Sequence, residues 1–140
     1  MTADTDEAVL AANAAFYSAF ATRDMTAMDE LWAREAPVAC THPGWPVLLG
    51  RDDVLASWRG ILENPAAPNI QVTETVVHRV GDAALVFCLE VVDGGAVAAT
   101  NVFVHEGDAW RMVHHHADPV TTVMRTRFAG PVAPAPDRRN

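Results

Sequence analysis

The strongest constraint on the fold lies in the second half of the chain, where four apolar, β-branched segments follow one another with short turn sequences between them. The segments cover about residues 70–80, 83–92, 97–106 and 109–117. The separators "GD", "DGG" and "EGD" are typical of hairpin connections, because glycine and aspartate tolerate the positive φ angles of tight turns. The pattern predicts an antiparallel meander of four strands.

Three helices are predicted before this meander. The first covers residues 4–22, the second begins at a cap formed by Asp24 or Thr26 and ends before Pro37, and the third covers residues 51–63. Apolar residues recur at intervals of three and four within each helix: Val9, Ala12, Phe16 and Phe20, then Met28, Leu31 and Trp32, then Val54, Trp58, Ile61 and Leu62.

The stretch "PVACTHPGWPVLLG" between the second and third helices predicts a strand, a turn at Pro43 and Gly44, and a second short strand. Three helices that lead into a long antiparallel sheet define an α+β layout, in which the helices cover one face of a curved sheet. A cavity can form between the two layers. Trp32 and Trp110 are predicted to lie in the core.

Composition excludes several partners. A chain of 140 residues has the length of one domain with a substantial core, and its formal net charge of -8 disfavours nucleic acid and anionic membranes. The N-terminus "MTADTDEAVL" lacks the features of a signal peptide, and no apolar run reaches a membrane span. We therefore expect a cytoplasmic protein that binds neither nucleic acid nor membrane.

The two cysteines, Cys40 and Cys88, lie in separate apolar segments and lack the spacing of a metal or redox motif. Both are predicted to be reduced and buried. Cys40 and His42 share a strand face, but two positions on one strand are a poor geometry for a nucleophilic pair.

Three consecutive histidines stand in "AWRMVHHHADP". Since strand side chains alternate between faces, His114 and His116 share one face, while His115 points to the other with Val113 and Ala117. A β-bulge in this strand would reverse the arrangement. One regular strand therefore cannot present a three-histidine metal face. His114 and His116 either pack on the outer face or hold a metal with help from Asp118 or another subunit.

Three stretches together resemble the SnoaL-like branch of the nuclear transport factor 2-like superfamily, over about residues 8–119. They are "FYSAFATRDMTAMDELWA", "PVACTHPGWPVLLGRDDVLASW" and "TNVFVHEGDAWRMVHHHADP". The resemblance implies a cone-shaped, curved antiparallel sheet packed against three helices, a cystatin-like α+β barrel that encloses a pocket and often dimerises through its outer sheet face. It places a single SnoaL-like domain at residues 1–128, and the proline-rich residues 129–140 are expected to form a flexible tail.

The family's known patterns are only partly present. The helix-one tyrosine of ketosteroid isomerases falls on Phe16, their general-base aspartate on His42 and their second acid on Asn101, so that mechanism is not expected. In the similar kinase association domain, pocket arginines stand at the positions of Asn101 and Ala117, so an anion held by those arginines is not expected either.

The same resemblance places His42 and His115 at the pocket. His42 is the predicted base, with His115, Asn101 and Tyr17 as hydrogen-bonding partners; alternatively, His42 only caps its turn and His115 only satisfies a buried contact. The predicted ligand contacts are Phe16, Trp45, Val54, Trp58, Ile61 and Val113.

The leading hypothesis is an enzyme that needs no cofactor and uses acid/base chemistry on a small apolar organic molecule, as an isomerase, dehydratase, cyclase or hydrolase. We expect no metal ligands and a homodimer. One alternative is a ligand-binding or dimeric assembly module without turnover. Another is a metalloprotein that uses His42 and some of residues 114–116.

Overall fold

The computed structural model describes residues 4–121, so most of the predicted domain is described, whereas the predicted tail at residues 129–140 lies outside the described residues. The elements, in chain order, are α1 (Asp6–Ala21), α2 (Met25–Leu31), β1 (Ala39–Thr41), β2 (Leu48–Leu49), α3 (Arg51–Glu63), β3 (Gln71–Val80), β4 (Ala83–Val92), β5 (Gly95–Glu106) and β6 (Ala109–Pro119).

Side-chain caps start the first two helices. The Thr5 hydroxyl accepts a hydrogen bond from the Ala8 amide at 3.1 Å, and the Asp24 carboxylate accepts one from the Ala27 amide at 3.0 Å. The cap of α2 is therefore Asp24, one of the two predicted candidates. Trp32 follows α2, is fully buried and forms an isolated parallel bridge with Met112 of β6. This long-range pairing ends the helix.

The strands form one six-stranded sheet in the order β2-β1-β6-β5-β4-β3. The strands β3 to β6 pair antiparallel in sequence, as the hairpin turns predict. The predicted α+β fold is confirmed, with two differences in detail. Strand β1 runs parallel to β6, so the curved sheet is mixed, and the sheet is open, with β2 and β3 at its edges.

A β-bulge interrupts the pairing of β5 with β6. Val102 pairs with His114 and Phe103 pairs with Met112, which leaves Val113 as the extra residue. Met112 and His115 consequently both point inward, although they are three positions apart. His115 points inward, as expected, and Val113, the extra residue of the bulge, is partly buried and packs against the core.

The core lies between the helices and the inner face of the sheet. All three helices contribute to it, and its largest fully buried side chains are Trp32, Phe16, Phe103, Met28 and Met112. Trp110 is buried as well, as predicted. None of the helices within residues 4–121 is long and apolar enough to cross a membrane.

We expect Phe103→Ala to lower the free energy of unfolding by about 3–5 kcal/mol, because it removes a fully buried ring from the centre of the sheet. Val104→Thr, on the opposite, half-buried face, should cost about 1 kcal/mol or less. Urea unfolding of both variants gives the comparison. Equal losses would contradict this assignment of the inner face.

Candidate functional site

A cavity of about 350 Å³ lies between α1, α3 and the inner face of the sheet. Its wall is mostly apolar and aromatic, with a few polar side chains, which is the usual character of a small-molecule site. The lining residues are Phe16, Tyr17, Phe20, His42, Pro43, Trp45, Trp58, Ile61, Pro68, Ile70, Glu90, Val92, Val97 and His115.

A tight turn places His42 and Trp45 beside each other at the cavity. The Trp45 amide donates to the His42 carbonyl at 2.9 Å, and Gly44 has a φ of 82°, as a turn with Pro43 and glycine at its two central positions requires. The predicted turn is confirmed. The rings of His42 and Trp45 meet edge to face with centroids 4.9 Å apart.

Helix α3 determines which nitrogen of His42 carries the proton. His42 Nε2 lies 2.9 Å from Ser57 Oγ, and the Ser57 hydroxyl donates its one proton to the Val54 carbonyl at 2.6 Å. Ser57 must therefore accept from His42, so Nε2 carries the hydrogen and Nδ1 keeps a lone pair.

Asn101 determines the corresponding tautomer of His115. The Asn101 amide nitrogen donates to Asn13 Oδ1 at 2.8 Å and to the Tyr17 hydroxyl at 3.1 Å. Its oxygen lies 2.6 Å from His115 Nδ1 and is an acceptor, so Nδ1 carries the hydrogen. The other ring nitrogen, Nε2, therefore has a lone pair on a side chain that lines the cavity.

Burial keeps both imidazoles neutral. It lowers the pKa of His42 to about 4 and that of His115 to about 3, the latter with smaller contributions from neighbouring histidines. The Trp58 ring contacts both, with centroids 4.8 Å from His42 and 5.7 Å from His115. The two imidazole centroids are 6.4 Å apart. The site thus presents two neutral nitrogen bases beside one indole.

Glu90 is a lining residue that the sequence reasoning missed. The Tyr17 hydroxyl donates to its Oε2 at 2.6 Å, and Tyr17 also lies 3.4 Å from the Cys88 sulfur. Burial raises the pKa of Glu90, and the hydrogen bond from Tyr17 opposes that shift. A signal was present, since Ala84, Val86, Cys88 and Glu90 alternate along β4 and an acid therefore falls on the buried face.

The Tyr17 hydroxyl and the Cys40 thiol are held protonated. Burial raises the pKa of Tyr17 well above its usual range, and the neighbouring Glu90 carboxylate adds to the shift. Cys40 and Cys88 are both buried thiols, as predicted. Burial raises the pKa of Cys40 to about 12, so its contact with His42 at 3.7 Å does not produce a thiolate nucleophile at neutral pH.

The structure brings most of the predicted site residues together, and seven of them line the cavity: Phe16, Tyr17, His42, Trp45, Trp58, Ile61 and His115. Asn101 is fully buried behind the wall and acts through its hydrogen bonds. Val54 packs in the core beneath α3, and Val113 occupies the bulge, so neither belongs to the lining.

The remaining histidines of the triplet lie on the other side of the sheet. His116 Nε2 is 2.9 Å from an Asp118 carboxylate oxygen, and its ring centroid is 6.1 Å from that of His114. Within residues 4–121, no group of three His, Cys, Asp or Glu side chains is arranged to hold a metal ion. The geometry of these residues therefore gives the metalloprotein alternative no support.

A family model described as a SnoaL-like domain matches residues 9–121, and the chain belongs to that family. The predicted resemblance is thereby confirmed.

Proteins with different names are similar to this chain. F-box protein SKIP8 of Arabidopsis thaliana is 30% identical over 115 residues, which are 81% of this chain and 50% of SKIP8, so the chain spans about half of this curated relative. A crystal structure of a suggested dehydratase of the NTF2-like family from Streptomyces avermitilis is 39% identical, covers 81% of this chain and 94% of its own, and has a TM-score of 0.74.

Two further structures extend the comparison. A suggested calcium/calmodulin-dependent protein kinase type II association domain from Thiobacillus denitrificans is 38% identical over 80% of this chain and 94% of its own, with a TM-score of 0.71. A Caulobacter vibrioides protein of cystatin-like fold is 15% identical over 85% of this chain and 92% of its own, with a TM-score of 0.73, and shares the fold alone.

The lowered pKa of His115 should make the free energy of unfolding depend on pH. Because its folded pKa of about 3 lies below the ordinary 6.5, acid protonates the unfolded chain first, and the unfolding free energy falls between pH 6.5 and 3. This histidine contributes about 1 kcal/mol per pH unit in that window. Glu90, whose pKa is raised, acts in the opposite direction.

Denaturant unfolding of the wild type and of His115→Gln at pH 7 and pH 5 isolates this contribution, because Glu90 is common to both. The wild type should lose more stability than the variant over this interval. Equal losses, or an imidazole NMR titration of His115 centred near pH 6.5, would contradict the expectation.

Proposed function

We propose that the cavity binds a small organic molecule and that His42 and His115 transfer protons to and from it without a cofactor. The observation that carries this proposal is the pair of neutral imidazoles on the wall of an apolar cavity, each with its tautomer set by a partner behind it. Isomerisation, dehydration, cyclisation and hydrolysis all fall within this chemistry.

His42 is the proposed base, and its Nδ1 is the proposed proton acceptor. A pKa of about 4 makes this imidazole as basic as a carboxylate, and carboxylates of that strength serve as general bases in enzymes. Once protonated, the same ring can return the proton to another atom of the substrate. A single residue therefore suffices to move a proton within one molecule.

His115 is proposed to accept a hydrogen bond from the substrate or to share the proton transfer through Nε2. Asn101 supports it as a positioning residue, because its carboxamide holds His115 Nδ1 and does not line the cavity. Tyr17 lines the cavity, but its hydroxyl donates to Glu90 and accepts from Asn101. Its proposed role is to connect Glu90 and Asn101 by hydrogen bonds.

The similarity to the suggested Streptomyces avermitilis dehydratase supports an enzyme, since that protein is 39% identical and matches along most of its length. Dehydration requires removal of a proton and departure of a hydroxyl group, which suits two proton-transferring side chains at one site.

A general test uses hydrogen exchange of 2-tetralone in deuterated water, because the C–H bonds next to its carbonyl are weakly acidic. The wild type should accelerate exchange, and His42→Gln should lower the acceleration by about 100-fold or more. The rate should stay flat from pH 7 to about 5 and fall towards pH 4, where His42 becomes protonated. Mass spectrometry of the ketone gives the rate.

His114→Gln is the matched control, because its side chain lies on the opposite face of the same strand and should leave exchange unchanged. An acceleration that survives both His42→Gln and His115→Gln would contradict the proposed chemistry. A titration of the rate centred near pH 6.5 would contradict the assignment of the base.

A second proposed function is assembly without turnover, through dimerisation of the outer sheet face. That face carries half-buried apolar side chains, namely Leu85, Phe87 and Leu89 of β4 with Val102 and Val104 of β5. Burial of such a surface favours association by the hydrophobic effect. The 38% identity to the suggested kinase association domain adds support.

Val102→Glu should convert the proposed homodimer to a monomer, because it puts a charge at the centre of the outer face. Light scattering after size-exclusion chromatography measures the mass. Thr75→Glu, at an exposed position of the edge strand β3, is the control and should keep the dimer. A monomeric wild type at micromolar concentration would contradict the assembly function.

A further inference from the structure

We propose that the ligand of this cavity carries a protonated amine, whose ammonium group pairs with the Glu90 carboxylate among the aromatic rings of the wall. The proposal rests on the cavity being the ligand site of the proposed function and names the class of its substrate. An apolar molecule with one ammonium group fits both the lining and its charge.

The charges of the side chains that line the cavity favour a positively charged ligand. Among the described residues that line the cavity, Glu90 is the only acid, and none is an arginine or a lysine. The other titratable side chains of the wall are His42 and His115, both held neutral, and the protonated Tyr17. Among the described residues, the cavity wall therefore holds one acid and no positively charged partner for it.

The hydrogen bonds of Glu90 leave one oxygen for a ligand. Oε2 accepts from Tyr17, whereas Oε1 has no hydrogen-bond donor within residues 4–121. Glu90 is 4% exposed, and its neighbours across the sheet are Val72 and Val97, which supply no charge. A buried carboxyl in this position costs stability unless a cation joins it, so binding of an ammonium group removes that cost.

The aromatic wall provides the second part of an ammonium site. The rings of Phe16 and Tyr17 pack edge to face at 4.8 Å, and Phe16 and Phe20 contact Trp58 at 5.3 and 6.0 Å. Aromatic faces attract cations through their quadrupole, most strongly where water is excluded. The carboxylate and the rings together favour an ammonium group over a neutral group of the same size.

Hydrogen bonds connect this end of the cavity to the histidines. Glu90 bonds to Tyr17, Tyr17 to Asn101, and Asn101 to His115. A ligand anchored at Glu90 thus lies in the same cavity as the two neutral bases. Its ammonium group supplies the affinity, and the rest of the molecule presents the atoms between which a proton moves.

Isothermal titration calorimetry with 2-aminotetralin and its neutral counterpart 2-tetralol tests the proposal at pH 7. The wild type should bind the amine at least tenfold more tightly than the alcohol. Glu90→Gln should abolish this preference and retain the affinity for the alcohol, because glutamine can still accept the hydrogen bond from Tyr17 but carries no charge. Tyr17→Phe, which keeps the carboxyl group, should keep the preference.

The outcomes separate this inference from the proposed function. Equal binding of both probes by the wild type, or an unchanged amine preference in Glu90→Gln, would overturn the ammonium site while the cavity remained a ligand site. Tighter binding of the alcohol would assign Glu90 as a neutral hydrogen-bond donor instead. Failure of both probes to bind the wild type would contradict both proposals. The wild-type preference alone is decisive should a variant fail to fold.

Discussion

The buried carboxamide of Asn101 is the interaction on which the site depends. Both ends of the amide form hydrogen bonds. Its nitrogen donates to Asn13 and Tyr17 of α1, and its oxygen accepts from His115 of β6. A buried amide that loses one of these partners costs about 1–3 kcal/mol per unsatisfied group. The amide therefore fixes where α1 crosses the sheet, and with it the depth of the cavity and the proton position on His115.

Two backbone irregularities complete this arrangement. The bulge at Val113 shifts the phase of β6, so that Met112 fills the core while His115, three residues later, reaches the cavity. The turn through Gly44 ends β1 and brings Trp45 back over His42. A regular strand in the first case, or a longer loop in the second, would separate the two imidazoles.

The sequence predicts the secondary structure well because the signals are local. Apolar spacing defines the helices, and the "GD", "DGG" and "EGD" separators define the hairpins that the structure confirms. The parallel pairing of β1 with β6 was not predicted, because it joins segments some seventy residues apart and carries no local pattern. A bulge in β6 was considered from the sequence, but its position at Val113 was not predicted, since tertiary packing selects that position.

The candidate site was predictable to different degrees. The family resemblance placed His42 and His115 at the pocket. Strand alternation then predicted that His115 lies on the opposite sheet face from His114 and His116. Glu90 was overlooked because β4 reads as an apolar strand, although an acid at an inward position is the more informative feature of such a strand. Val54 lies outside the cavity lining because it stands one helix turn before Trp58, a residue of α3 that reaches the cavity.

Exclusion of water is the largest cause of the shifted pKa values of Tyr17, His42, Glu90 and His115 in the cavity. It lowers the pKa of the two histidines and raises that of Glu90, so it disfavours the charged form of each of these groups. A bound cation would stabilise the ionised Glu90 and, through the low dielectric of the cavity, disfavour protonation of the imidazoles further. Since burial already keeps both imidazoles neutral, the ammonium group would mainly lower the basicity of the histidines, which couples binding at one end of the cavity to chemistry at the other.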